Sequence, residues 1–282
     1  MFLTTDLNNI WFGLLLTLLA GLSTGIGGLF LFFYKKTNET IITFVLGFSA
    51  GIMIYISFVE IFPEALDALH EAGHSDFIAS ILTLAGFFGG MLLIFLIDKL
   101  IPKDLNPHET KNVSDVLETD LELEKELQAE ARRKKMYKTG ILTLVAITIH
   151  NFPEGIATFI AAASDPQLGI AIAIAIALHN IPEGIAVAIP VYEATKNRKK
   201  AFLMALLSGL AEPIGALVAL AILLPILTPT VFGIVFASVA GIMVFISFDE
   251  LLPASHEYGK HHISILGVVM GMAIMAISLL FL

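Results

Sequence analysis

The chain contains no cysteine. Disulfides are therefore excluded, and so is any metal site built on thiolates. The redox compartment stays open. Charge is scarce as well: 15% of the 282 residues are Asp, Glu, Lys or Arg, against about 25% in an ordinary soluble domain. The first nine residues, Met1 to Asn9, carry no Lys or Arg and form no basic leader. The apolar run that follows is too long for a cleaved signal peptide, so it is expected to persist as a first helix.

Apolar residues make up 57% of the chain and its mean hydropathy is +0.87. An ordinary soluble domain, at about 45–50% apolar, is excluded. Apolar runs of about 18–20 residues or more read as membrane-spanning helices. Eight are expected: Ile10–Tyr34, Ile41–Leu66, Phe77–Ile101, Thr139–Ala163, Leu168–Val191, Ala201–Leu224, Val231–Leu252 and Ile263–Leu282. The expected fold is an all-α membrane protein. It has one transmembrane domain over 1–282, with a loop over 102–138 between spans 3 and 4.

All 16 Lys and Arg fall in alternate loops. Lys35 and Lys36 follow span 1. Lys99 through Lys138 lie between spans 3 and 4 or at their ends, Lys196 through Lys200 between spans 5 and 6, and Lys260 between spans 7 and 8. The opposite loops, Ala68–Asp76, Ser164–Gln167 and Thr228–Thr230, contain none. The positive-inside rule makes the basic loops cytoplasmic and puts both termini outside, as an even span count requires. This implies a multi-pass protein of the cell membrane. The net charge of −9 points to no partner, because the acids lie partly in the long loop and partly inside the spans. No nucleic-acid partner is expected. The long loop is acidic and then basic, and Leu117, Leu121 and Leu127 suggest a short amphipathic helix in a solvated linker.

One six-residue motif is written almost twice: His150-Asn151-Phe152-Pro153-Glu154-Gly155 in span 4 and His179-Asn180-Ile181-Pro182-Glu183-Gly184 in span 5. A second repeat links Gly51–Pro63 in span 2 to Gly241–Pro253 in span 7. A weaker one links Gly21-Leu22-Ser23-Thr24 in span 1 to Gly209-Leu210-Ala211-Glu212 in span 6. Each pair crosses the membrane in opposite senses. The bundle is therefore expected to contain inverted repeats, spans 1–3 against 6–8 and span 4 against 5. Such repeats mark secondary transporters, with the site near the midplane at broken helices.

The motif residues carry the chemistry. A histidine and a glutamate four apart share one helix face. Proline frees the carbonyl four residues before it, and polar groups in hydrocarbon are costly enough to imply function. Two facing motifs would gather two imidazoles, two carboxylates and two amide oxygens, a set that suits Zn²⁺, Fe²⁺, Mn²⁺ or Co²⁺. Glu212 in span 6 is a further intramembrane acid, followed by Pro213, and reads as another ligand. Glu60, Glu64, Asp67 and His70 trail outward along span 2. Asp249, Glu250, His256 and Glu257 trail inward along span 7, toward His261 and His262. These two strings read as acidic mouths that attract a cation. Of them, Glu60, Glu64, Asp67, Asp249, Glu250 and His256 are assigned to the transport pathway. Glycine pairs in spans 1, 2, 3 and 8 read as close-packing positions.

With its doubled HNFPEG and HNIPEG motif, eight spans, outside termini and variable loop, the chain resembles the ZIP family of divalent-metal transporters, most of all its bacterial ZupT-like branch. The resemblance covers nearly the whole chain. It implies a binuclear metal centre: one site from His150, Glu154, His179 and Glu183, and a neighbour from Asn151, Asn180 and Glu212 with Glu154 and Glu183 as bridges. It also implies a homodimer and an elevator-like motion of spans 1, 4, 5 and 6 against spans 2, 3, 7 and 8. Many relatives carry a histidine-rich stretch in the long loop; this chain has only His108 there.

The expected function is import of Zn²⁺, with Fe²⁺, Mn²⁺, Co²⁺ and Cd²⁺ as further substrates. The metal is cargo, and no cofactor is expected. A passive metal channel needs the same lined path. An intramembrane metalloenzyme fits less well, because the motif is not HExxH and hydrolysis needs one asymmetric site with an open position.

Overall fold

The computed structural model of the protein describes residues 7–33, 39–100, 141, 144–145, 147–149, 151–256 and 259–280. Every regular element among them is helical. Helix α1 is Leu7–Phe33 and α2 is Glu39–Ile56. A wide π-turn, Ser57–Ile61, joins α2 to α3, Phe62–Glu71. Helix α4 is Asp76–Leu100, α5 is continuous over 151–164, and α6 is Pro166–Thr195. Helix α7, Arg198–Gly209, steps at Leu210 into α8, Ala211–Val218, which ends in a π-turn and a short 3₁₀ turn reaching Ile226. Helix α9 is Pro229–Ile246, and a π-turn over Ser247–Leu251 leads to α10, Leu252–His256. Helix α11 is His261–Leu279.

Among the described residues seven helical stretches are long and apolar enough to cross a bilayer. They coincide with seven of the eight spans expected from hydropathy. The remaining span, 139–163, is described without interruption only from residue 151. The loop over 102–138, with His108 and its amphipathic leucines, lies outside the described residues.

Helix starts follow their capping residues. The Asp165 carboxylate accepts from the Gln167 amide at 2.7 Å to open α6. Asn197 accepts from the Lys200 amide at 3.0 Å to open α7, and Thr228 from the Val231 amide at 3.2 Å to open α9. Each cap is worth about 1 kcal/mol.

Span 2 runs further than its hydropathy suggests. The apolar run ends at Leu66, but the helix continues through Asp67 and His70 to Glu71. One face of this extension still buries Ala65, Ala68 and Leu69, and Ala65 and Leu69 lie against Gly233 of α9. Span 7 likewise extends to His256.

The second repeat carries its local structure with it. Pro63 and Pro253 have no N–H, so the carbonyls of Val59 and Asp249 lose their usual donors. In both places the preceding turn widens. The Phe62 amide donates to Ser57 O, and the Leu252 amide to Ser247 O. In both, the buried serine hydroxyl donates to the carbonyl four residues earlier, Met53 at 2.7 Å and Met243 at 2.8 Å.

The helices sort into two groups. Helices α1, α6, α7 and α8 pack on one another. The α5 stretch joins them, with Phe152 against Gly215 and Phe159 against Gly13. Helices α2, α3, α4, α9, α10 and α11 form the second group, and its main link to the first is α2 on α6. The glycine pairs of the sequence are used within these groups. Gly47 and Gly51 face the α11 backbone, and Gly267 and Gly271 face α2 in return. Gly90 faces Ser238 of α9.

Candidate metal centre

Six of the seven motif and span 6 residues singled out in the sequence are described: Asn151, Glu154, His179, Asn180, Glu183 and Glu212. All six are wholly buried. His150 lies outside the described residues.

Helix α6 runs unbroken through Pro182 and so carries His179, Asn180 and Glu183 on one rigid element. Span 6 is broken instead. Pro213 cannot donate to the carbonyl of Gly209, and the chain steps at Leu210 before α8 begins. Glu212 thereby stands in the first turn of α8. A carboxylate at a helix N-terminus gains about 0.3–1 kcal/mol from the helix dipole.

Side chains from different helices then meet in pairs. His179 Nε2 and Glu154 Oε1 are hydrogen-bonded at 2.9 Å, which ties α6 to α5. Asn180 donates from Nδ2 to Glu212 Oε1 and, at 3.0 Å, to the carbonyl of Ala20 in α1. Asn151 donates to the carbonyl of Ser208 in α7 at 3.2 Å. Ser49 of α2 reaches across between the two groups. Its hydroxyl lies 3.5 Å from Glu183 Oε1 and 3.4 Å from the carbonyl of His179.

The last glycine of each motif makes these approaches possible. A side chain at Gly155 would strike the carbonyl of Glu212, and one at Gly184 would strike the carbonyl of Thr24. Only hydrogen fits at either place.

The Oδ1 atoms of Asn151 and Asn180 are buried and accept no hydrogen bond among the described residues. A buried amide oxygen left in that state costs about 1–3 kcal/mol. Such oxygens are the atoms a cation would take. Among the described residues no three histidine or acidic side chains are already gathered as a metal cluster; the motif residues meet as pairs.

The six pathway residues are distributed at the two extensions. Glu60 stands half-buried in the first π-turn, eleven residues beyond Ser49 or roughly 16 Å along a helix. Glu64 is half-buried and Asp67 exposed on α3. Asp249 and Glu250 are half-buried in the second π-turn, and His256 is exposed at the end of α10. Nearby, His70 Nε2 lies 3.5 Å from Asp76 Oδ1, and the His256 and His261 rings are 4.8 Å apart. Glu257 lies outside the described residues.

Sequence reasoning missed the Ser49 hydroxyl and the carbonyls of Ala20 and Ser208. A signal existed for the carbonyls: both residues immediately precede the glycines, Gly21 and Gly209, that open the weak repeat.

The chain also compares closely with known proteins. The family model described as ZIP Zinc transporter matches residues 8–279. The zinc transporter ZupT of Lysinibacillus sphaericus (strain C3-41) is 58% identical over 268 residues, 95% of this chain and 96% of that protein. The zinc transporter ZupT of Oceanobacillus iheyensis is 55% identical over 276 residues, covering 98% and 100%. That of Streptococcus mutans serotype c is 53% identical over 266 residues, covering 94% and 96%.

Proposed function

Since the chain belongs to the ZIP zinc transporter family, it is a divalent-metal transporter and not an enzyme, and we propose that it imports Zn²⁺ into the cytoplasm, with Fe²⁺, Mn²⁺, Co²⁺ and Cd²⁺ as further substrates. The cargo binds at mid-membrane in a binuclear centre. His150, Glu154, His179 and Glu183 hold one ion. Asn151, Asn180 and Glu212 hold the other, with Glu154 and Glu183 shared.

The observation that carries this reading is the pair of buried asparagine amide oxygens, Asn151 Oδ1 and Asn180 Oδ1, that accept no hydrogen bond among the described residues. Each asparagine is fixed by its Nδ2, which donates to a backbone carbonyl of another helix. That anchoring leaves the oxygen turned away from the anchor and oriented in advance. The wholly buried Glu154, Glu183 and His179 stand in the same two helices, and the wholly buried Glu212 in α8 accepts from Asn180. The donor set of imidazole and carboxylate suits Zn²⁺, and the added amide oxygens suit the harder cations.

In this reading the chain spans the cell membrane eight times with both termini outside, and two copies pair as a homodimer. Glu60, Glu64 and Asp67 receive the hydrated cation outside. Asp249, Glu250 and His256 receive it inside. The grouping of α1, α5, α6, α7 and α8 apart from the other helices supports alternating access, with the motif-bearing group moving against the rest. Imidazole and carboxylate ligands shed protons on binding metal, so affinity falls as pH falls.

Vesicles reconstituted with the protein and loaded with a zinc indicator test the proposal. Wild type gives a saturable, zinc-dependent signal. Glu154→Ala and Glu183→Ala each reduce it at least about tenfold. Equal flux in all three would sink the assigned site. Fast, non-saturating flux abolished by both substitutions would make the protein a channel through the same site.

A further inference from the structure

Two stretches of backbone meet reciprocally beside the candidate centre. A side chain at Gly21 would strike the carbonyl of Gly209, and a side chain at Gly209 would strike the carbonyl of Gly21. Asn180 donates to the residue before Gly21, and Asn151 to the residue before Gly209. Gly184 lies against the carbonyl of Thr24, and Gly155 against that of Glu212. Exchanging the two motifs, and residues 20–24 with 208–212, maps each of these contacts onto another of the set. The local arrangement is a two-fold, and in it Thr24 occupies the place that Glu212 occupies on the other side.

The Thr24 hydroxyl is not engaged as a helical threonine usually is. A buried threonine in a helix normally donates to the carbonyl four residues earlier. Thr17, Thr83 and Thr158 do so, at 2.8, 2.9 and 2.9 Å. For Thr24 that carbonyl is Ala20 O, which receives Asn180 Nδ2. Thr24 is wholly buried, and its Oγ1 has no hydrogen-bond partner among the described residues. Thr43 is the other such hydroxyl, but it sits near the start of α2, one turn from the Thr40–Lys260 contact. The Thr24 Oγ1 instead lies against Gly209, the residue after the Ser208 that anchors Asn151. The hydroxyl and the Asn151 amide therefore converge on one short stretch of α7. Across the two-fold, the Glu212 carboxylate converges with the Asn180 amide.

We propose that Thr24 Oγ1 is a neutral oxygen ligand for the transported cation, the two-fold counterpart of the charged Glu212 carboxylate, and that Thr24 thereby sets selectivity between harder and softer divalent metals. The proposal rests on the reading of the doubled motif as a metal centre. A hydroxyl oxygen contributes more to a hard ion such as Mn²⁺ than to Zn²⁺, which the imidazoles hold. A carboxylate at this position would have made the two halves equally acidic. A hydroxyl keeps an oxygen ligand there without adding charge to helices that already bury Glu154, Glu183 and Glu212.

The test compares Mn²⁺ and Zn²⁺ uptake into vesicles carrying the full chain as wild type, Thr24→Val, Thr24→Ser or Glu183→Gln, with thermal unfolding of each purified protein in detergent. Thr24→Val keeps the shape and removes the hydroxyl. The expected result is a rise of about tenfold in the Mn²⁺ half-saturation concentration, with Zn²⁺ shifted about threefold or less. Thr24→Ser restores both metals and Thr24→Val unfolds at the wild-type temperature. If Thr24→Val fails to reach the membrane, Thr24→Ala makes the same comparison. Unchanged Mn²⁺ uptake in Thr24→Val, while Glu183→Gln loses transport, overturns the role of Thr24 and leaves the centre standing. An equal loss of both metals that serine does not restore assigns Thr24 to packing and overturns it as well. Wild-type transport in Glu183→Gln removes the metal centre itself, and the Thr24 assignment falls with it.

Discussion

Glu212 is placed to serve both folding and the proposed metal chemistry. Its carboxylate is wholly buried, stands in the first turn of α8 and accepts from Asn180. The helix dipole and the hydrogen bond both favour an anion, but together they offset only part of the cost of a charge in hydrocarbon, about 2.5–3.5 kcal/mol on insertion scales. Glutamine separates the two roles, because it keeps the accepting oxygen and loses the charge. Glu212→Gln is therefore expected to fold normally, with its unfolding temperature in detergent at or slightly above wild type, and to bind zinc at least about tenfold more weakly. Calorimetry at two pH values sharpens the test. Wild-type affinity falls between about pH 7.5 and pH 5.5, because protons compete for the ligands. Unchanged affinity at both pH values would make Glu212 a structural acid.

Between helices the decisive contacts are made by residues with no side chain. Gly184 brings α6 onto the Thr24 carbonyl of α1, and Ala there would have to push two backbones apart. Gly184→Ala is expected to destabilise the protein by about 1–3 kcal/mol, as overpacking does. Gly89 of α4 is the control, since a Cβ there meets nothing within 4 Å. Gly89→Ala should be neutral or stabilising by up to about 1 kcal/mol. Thermal unfolding of the two variants in one detergent reads the contrast, and equal midpoints would mean that α1 and α6 do not approach this closely. The same contrast explains what could be read in advance. Spans were legible because twenty apolar residues leave the chain few alternatives to a helix, and the motif because histidine and glutamate are conspicuous in hydrocarbon. The π-turns were not, since widening a turn changes the hydrogen-bond partner and no residue; only the prolines that follow them, Pro63, Pro225 and Pro253, hinted at them. The carbonyls of Ala20 and Ser208 were invisible because every residue has a carbonyl. The Ser49 and Thr24 hydroxyls were passed over because such groups ordinarily bond within their own helix.

The two helix groups give the molecule a seam, with α2 of one resting on α6 of the other and Ser49 reaching across it to Glu183. In the proposed alternating access, movement along this seam exposes the motif to one side and then the other, provided that the molecule's two ends face different compartments. Charge placement argues that they do. Ser75 stands in the turn between α3 and α4, where Lys and Arg are absent, and Lys199 stands at the start of the basic-capped α7. Both residues are exposed. The absence of cysteine makes the test clean, because any introduced thiol is the only one in the chain. In intact cells a membrane-impermeant maleimide should label Ser75→Cys and spare Lys199→Cys, which should become reactive only after permeabilisation. Labelling of Lys199→Cys in intact cells would invert the orientation. Glu64 and Asp67 would then line the exit rather than the entrance, and import could not be argued from the charge of the loops.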